Sequence, residues 1–164
     1  MKIKISGIVR ESIVDGPGFR LAVFVQGCPH GCPGCHNPQT HDFEGGAWMN
    51  TADVVDMALE NPLLDGITLS GGEPFCQPLP CADIARQAHA AGLNVWSYSG
   101  FTFEQLFNGD AGQRELLAQL DVLVDGPFVL EKRTLELRFR GSSNQRLINV
   151  PASFEQGHAV EIKL

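Results

Sequence analysis

The chain has 164 residues, 43% of them hydrophobic, and carries 12 Lys and Arg against 19 Asp and Glu, a formal net charge of −7. That length suits one domain over residues 1–164 that can bury a core without a structural metal, so any metal site is expected to be functional. The negative field repels phosphate backbones and anionic lipid, which argues against nucleic acid or a membrane surface as partner.

In chain order, residues 19–26 (FRLAVFVQ) form a β-prone apolar run between the turn Asp15-Gly16-Pro17-Gly18 and Gly27-Cys28-Pro29, and are expected to be the first strand. Residues 51–60 open on Thr51 and place Val54, Val55, Ala58 and Leu59 at helical spacing. A second strand is expected at 66–70, stopped by Gly71-Gly72. Residues 80–91 read as a helix closed by Gly92, 93–98 as a strand, 103–120 as one broken or two short helices, and 121–125 as a strand. Beyond Gly126-Pro127, residues 135–140 (LELRFR) alternate strictly, which predicts another strand, and 146–150 and 159–164 predict two more.

Strands alternating with helices predict βαβ units on a mostly parallel sheet. Four or five units are too few to close an eight-stranded barrel of typically ~250 residues. The expected fold class is therefore α/β, a partial, open (β/α) barrel. Ligands in such sheets sit beyond the carboxyl ends of the strands, so residues 27–35, 70–74, 97–100 and 125–127 are expected to converge.

Chemistry concentrates in Cys28, Cys32 and Cys35. Their spacing alone would fit the buried face of a helix, but Pro29, Gly31, Pro33 and Gly34 lie between them and break a helix, leaving a loop that can wrap its sulfurs around one object. Five cysteines, three within eight residues, make a poor disulfide framework and suit a metal site in a reducing compartment. No apolar run approaches the ~20 residues of a membrane span, and MKIKISGIVRES is too polar for a signal peptide, so a cytoplasmic location is expected. A zinc site would need a fourth ligand from His30, His36, His41, Cys76 or Cys81. Three thiolates from one loop suit instead a four-iron cluster whose fourth iron is open to a small molecule.

Cys28-x3-Cys32-x2-Cys35 at the end of a first strand resembles the cluster loop of the radical S-adenosylmethionine enzymes. Asp15-Gly16-Pro17-Gly18-Phe19-Arg20 resembles the segment that leads into it in the activating enzymes of glycyl radical enzymes, and Gly71-Gly72-Glu73-Pro74 resembles the methionine-binding motif. The short chain, residues 98–104 (YSGFTFE), and the ends Asp125-Gly126-Pro127-Phe128 and 140–146 (RGSSNQR) resemble the subgroup that activates anaerobic ribonucleoside-triphosphate reductase. The wider superfamily has an aromatic residue just before the third cysteine, where this chain has Gly34; the subgroup accepts Gly there.

The resemblance implies a [4Fe-4S] cluster held by Cys28, Cys32 and Cys35 that passes one electron to S-adenosylmethionine. This gives methionine and a 5′-deoxyadenosyl radical, which takes hydrogen from a glycine of the partner reductase. An external one-electron reductant is implied, and no side-chain acid or base. Gly71 and Gly72 let a ligand approach the backbone, with Pro74 closing the motif, and Glu73 is expected to accept from the cofactor's ammonium. Asp125 is a second candidate for the ammonium or the nucleoside, and Ser97, Tyr98 and Ser99 for the adenosine pocket. Asn37 is expected to support the cysteine loop, while His36 would stack near the cluster. Asp15, Gly16 and Gly18 are expected to receive the partner's glycine loop. Lys132, Arg133, Arg138, Arg140 and Arg146 make residues 131–146 locally basic, which suits a partner surface or a solvated edge. Activation of another glycyl radical enzyme of formate-lyase type, a small-molecule radical reaction, or a non-catalytic zinc adaptor are the alternatives.

Overall fold

In the computed structural model, which describes residues 1–163, seven strands form one sheet. They are β1 (Lys2–Ser12), β2 (Arg20–Val25), β3 (Ala47–Asn50), β4 (Gly66–Gly71), β5 (Asn94–Tyr98), β6 (Val122–Asp125) and β7 (Arg146–Asn149). The helices are α1 (Thr51–Leu59), α2 (Pro78–Ala90), α3 (Phe103–Phe107), α4 (Ala111–Gln119) and α5 (Val150–Gln156). The strand order is β3-β1-β2-β4-β5-β6-β7, with β2, β4, β5 and β6 parallel. At the flanks β1 pairs antiparallel with β2 and β3, and β7 antiparallel with β6. The outermost strands do not pair with each other, so this α/β sheet is mixed and open, with a parallel centre.

Alternation along each strand divides the sheet into two faces. Leu21, Val23, Val25, Ile67, Leu69, Val95, Leu123 and Ile148 join the core with Val54 and Ala58 of α1, Ile84 and Ala88 of α2, and Leu116 and Leu117 of α4. Trp96, Val122, Val124 and Leu147 form a smaller cluster on the other face, against which Tyr98 and Phe139 pack. Residues 103–120 split into two helices at Asn108-Gly109 because each helix carries its own cap. Thr102 and Gln105 form a capping box on α3, and Asp110 and Gln113 form another on α4.

Several expected elements differ. β1 precedes the expected first strand: Ile3 and Ile5 are buried and alternate with lysines, but the register shifts after Ile5 break the pattern. Residues 135–140 are not a strand; Leu135 is 95% exposed, and the segment's neighbourhood offers only a single bridge, Arg133 to Ser142. Val150 begins α5, where Asn149 caps Ala152 N and Pro151 occupies the first turn. The terminal strand reduces to one bridge, Glu161 to Ile148, and Leu164 lies outside the described residues. No helix among the described residues is long and apolar enough to cross a membrane.

Candidate active site

A cavity of about 590 Å³ lies at the carboxyl ends of the parallel strands. Its wall includes Cys28, Cys32, Cys35, Asn37, Gly71, Gly72, Tyr98 and Ser99, together with Asp15 from the turn before β2. The expected convergence of loops is therefore present, apart from Glu73, Pro74, Ser97, Asp125, Gly16 and Gly18, which do not line the cavity.

The cysteine loop leaves β2 and is closed at its neck by Gly27 N donating to Thr40 O at 2.6 Å and Cys28 N to His41 O at 3.2 Å. Gln26 ties the far side, donating from Nε2 to Gln39 O and Asp42 O. All three thiols are free and half-buried. Asn37 N lies 3.4 Å from Cys35 Sγ and His41 Nε2 lies 3.3 Å from it, so two groups address this sulfur from outside the cavity's centre. Asn37 O also accepts from Thr40, fixing the loop's last turn.

Among the described residues, no three His, Cys, Asp or Glu side chains are close enough to share one metal ion. A four-iron cluster takes each thiolate on a different iron, and so needs its sulfurs spread around a common space. Three free thiols on one cavity wall, one already addressed by a backbone N–H, fit that demand. Of the candidate fourth ligands for zinc, Cys81 is fully buried in α2, Cys76 does not line the cavity and His30 is engaged with Glu73, whereas His36 lines the cavity and His41 Nε2 lies beside Cys35 Sγ.

Glu73 is held by a dense set of hydrogen bonds within the protein. It is 0% exposed and does not itself line the cavity, but its carboxylate bonds two residues that do, Ser99 and Gly100. Oε2 accepts from Phe75 N at 3.0 Å, Oε1 from Gly100 N at 2.8 Å, and Ser99 Oγ lies 3.0 Å from both oxygens. His30 Nε2 completes the set at 2.6 Å from Oε1. His30 comes from the cysteine loop, Ser99 and Gly100 from the end of β5, and Phe75 from the 3-10 turn Pro74–Cys76. Glu73 is thus a strut joining three of the four walls. The His30 ring also packs edge-on against Phe101 at 4.6 Å. Sequence reasoning missed this partner of Glu73, because nothing in the residue pattern pairs positions 43 apart.

Asp125 is likewise engaged within the protein. It is 1% exposed, pairs with Arg146 at 2.5 and 3.0 Å, and accepts from Phe103 N at 2.7 Å. Arg146 also reaches Glu104 at 2.6 Å, and these carboxylates hold its guanidinium above the ordinary range. The ion pair therefore clamps β6, β7 and the start of α3. Ser97 faces the helix side of the sheet, 0% exposed, with Oγ donating to Tyr98 O. Tyr98 does reach the cavity wall, where its OH donates to Phe139 O at 2.7 Å.

At the other end, the Asp15–Gly18 turn folds back onto the cavity because Arg20 pulls it there. Arg20 is 0% exposed; it donates to Thr68 Oγ1, Ile67 O, Asn94 Oδ1 and Pro17 O, and lies over Trp96. Thr68 Oγ1 in turn donates to Asp15 O at 2.7 Å, and Ser12 Oγ donates to Asp15 Oδ2. Burial pulls the Arg20 guanidinium down to about 10, still protonated at neutral pH. Gly16 and Gly18 serve this turn: a Cβ on Gly16 would meet Arg20 Cδ at 2.7 Å, and Gly18 sits at φ +71 against Asp65. Their lack of side chains follows from packing within the chain.

The family described as "4Fe-4S single cluster domain" matches residues 14–148, the stretch holding the three cysteines and every strand of the parallel centre. The anaerobic ribonucleoside-triphosphate reductase-activating protein of Escherichia coli (strain K12) is 37% identical over 149 residues, covering 81% of this chain and 90% of its own. The chain belongs to this family of reductase-activating proteins. The Haemophilus influenzae relative of the same name is 33% identical over 81% of this chain and 89% of its own, and that of Enterobacteria phage T4 36% over 82% and 86%. Among solved structures, QueE from Escherichia coli shares 17% identity over 62% of this chain and 54% of its own, with a TM-score of 0.49. The fold class stated above rests on this chain's own topology.

Within a single-cluster radical S-adenosylmethionine protein, Gly34 now has a physical reason. It sits at φ +76, and a Cβ there would meet Leu130 Cδ1 at 2.8 Å and Phe128 Cε2 at 3.4 Å. Phe128 also lies 5.3 Å from the His36 ring. An apolar wall supplied by residues 128–130 covers the third cysteine's neighbourhood, and a side chain at Gly34 would collide with it.

Proposed function

We propose that this chain activates anaerobic ribonucleoside-triphosphate reductase by installing a glycyl radical on it, with residues 1–164 acting as one radical S-adenosylmethionine domain. The observation that carries this reading is the placement of Cys28, Cys32, Cys35, Gly71, Gly72 and Ser99 on one wall at the strand ends. When bound through the three cysteines, the cluster supplies one electron to the sulfonium of S-adenosylmethionine, giving methionine and the 5′-deoxyadenosyl radical.

The chain's own residues bind, orient and exclude water. Gly71 and Gly72 leave the wall beside the cysteines bare of side chains, so the methionine portion lies against main chain. Tyr98 and Ser99 bound the nucleoside side. Asn37 and His41 hold the Cys35 sulfur, and hydrogen bonds to such sulfurs tune the redox potential. Glu73, Asp125 and Ser97 act behind the wall, keeping the β4, β5 and β6 ends in register. Asp15, on the cavity wall, receives the partner's glycine loop, with Gly16 and Gly18 shaping its turn. No side chain need act as acid or base. The electron comes from an external one-electron reductant, and the setting is cytoplasmic.

The test is anaerobic incubation of the reconstituted chain with reductase, S-adenosylmethionine and dithionite, read by electron paramagnetic resonance. A glycyl radical doublet on the reductase, in proportion to 5′-deoxyadenosine formed, is expected. Deoxyadenosine without any radical on the reductase would overturn the assignment of partner and favour a small-molecule substrate.

A further inference from the structure

Residues 130–141 are held in shape although they form no regular strand. Thr134 N donates to Gly141 O, Ser143 N to Lys132 O, and Gln145 Oε1 accepts from both Gly141 N and Ser142 N. Phe139 is pinned inward at φ +64, edge-on to Trp96 at 5.3 Å, with its carbonyl bonded by Tyr98. The same loop turns Leu135 outward at 95% exposure. Across the cavity mouth stand Ile13 at 67% and Val14 at 70%. Three bare aliphatic side chains around one opening are unusual for a surface that stays in water.

The loop's cations are not paired off among the described residues. Lys132, Arg133, Arg138 and Arg140 form no ion pair with any carboxylate among the described residues. Against them in the segment stand only Glu131 and Glu136, so it keeps an excess of two positive charges on a protein of net charge −7, and the field that repels anions elsewhere is locally reversed. A surface that is both apolar and cationic, and shaped in advance, suits a peptide carrying an apolar side chain flanked by carboxylates.

We propose that Leu135, Ile13, Val14 and the four cations form the docking surface for such an acidic segment of the reductase, seating it at the mouth of the cavity. This rests on the functional reading above, since only a partner that sends a glycine loop to the cysteine end has cause to dock at this opening. The apolar trio gives affinity, and the cations give orientation and rate of encounter.

The test uses Leu135→Asp, at a residue that lines the cavity, and the double variant Lys132→Glu with Arg133→Glu, at two positions that do not. Two quantities are read on the reconstituted protein under argon: affinity for the reductase at low and high salt, and 5′-deoxyadenosine formed with dithionite in the reductase's absence. Leu135→Asp is expected to weaken reductase binding about tenfold or more, and the double variant to weaken it at low salt and flatten the salt dependence. In the Lys132→Glu, Arg133→Glu variant, neither of whose positions lines the cavity, cleavage without reductase is expected to stay within about twofold of wild type. Binding unchanged in both variants overturns the surface, as does a parallel loss of reductase-free cleavage, which would place the loop over the cofactor. A wild-type chain that cleaves S-adenosylmethionine yet does not bind the reductase overturns the partner itself.

Discussion

Glu73→Gln preserves shape and removes charge at the point where three walls of the cavity meet. The carboxylate accepts from Phe75 N at 3.0 Å and Gly100 N at 2.8 Å with different oxygens, and is wholly buried. An amide has one acceptor oxygen, so its NH₂ must face one of these two N–H groups, donor against donor. Losing a charge-assisted bond costs about 1.5–3 kcal/mol, and a buried N–H left unpaired adds about 1–3 kcal/mol. The expected loss is about 3–5 kcal/mol, a large share of the ~5–15 kcal/mol that stabilises a typical domain. Urea unfolding of the cluster-free protein under argon measures it without interference from cofactor. Ser99→Ala, which spares both backbone donors, is expected to cost only about 1 kcal/mol. A Glu73→Gln loss under about 1 kcal/mol, accompanied by weakened S-adenosylmethionine binding in the loaded protein, would refute the strut and return Glu73 to the cofactor's ammonium.

Asp125→Asn is expected to cost about 2–4 kcal/mol in the same unfolding experiment; Arg146 is partly exposed and keeps Glu104, so the loss falls below that for a wholly buried pair. A change under about 0.5 kcal/mol would show that the clamp does not matter. Tyr98→Phe is expected to cost about 1 kcal/mol at pH 7 through the lost bond to Phe139 O. It also changes the alkaline limb. Burial raises the phenol above its ordinary 10.0, so the folded state holds the proton longer than the unfolded state does. That stability is present in full below pH 10 and is lost as pH climbs above it, so the gap between wild type and Tyr98→Phe should narrow with rising pH. A constant gap between pH 7 and 11 would contradict the assignment.

The parallel centre was legible because its strands are buried on both sides and read as apolar runs ended by glycine, as in residues 19–26 and 66–70. The cysteine loop was legible because proline and glycine exclude a helix there. Flanking structure was not. LELRFR alternates as an edge strand would, yet alternation reports a strand only where a neighbour exists to pair with it, and here Leu135 faces water while Phe139 turns inward. β1 has the converse history: its Lys-Ile alternation covers only four residues before the register shifts. Site residues divide in the same way. Cys28, Cys32, Cys35, Gly71 and Gly72 act through main chain and local spacing, which sequence displays. Glu73 and Asp125 are held by partners far along the chain, His30, Gly100 and Arg146, which no local pattern displays.

The most direct measurement of the central claim is 5′-deoxyadenosine formed from S-adenosylmethionine and dithionite by anaerobically reconstituted protein, wild type beside Cys32→Ala and Cys76→Ala. Three thiols on one cavity wall leave no redundancy, whereas Cys76 does not line the cavity. The wild type and Cys76→Ala are expected to form deoxyadenosine at equal rates, and Cys32→Ala none, with its iron and sulfide lost. Product from Cys32→Ala, or its loss in Cys76→Ala, would contradict a cluster held by Cys28, Cys32 and Cys35 alone.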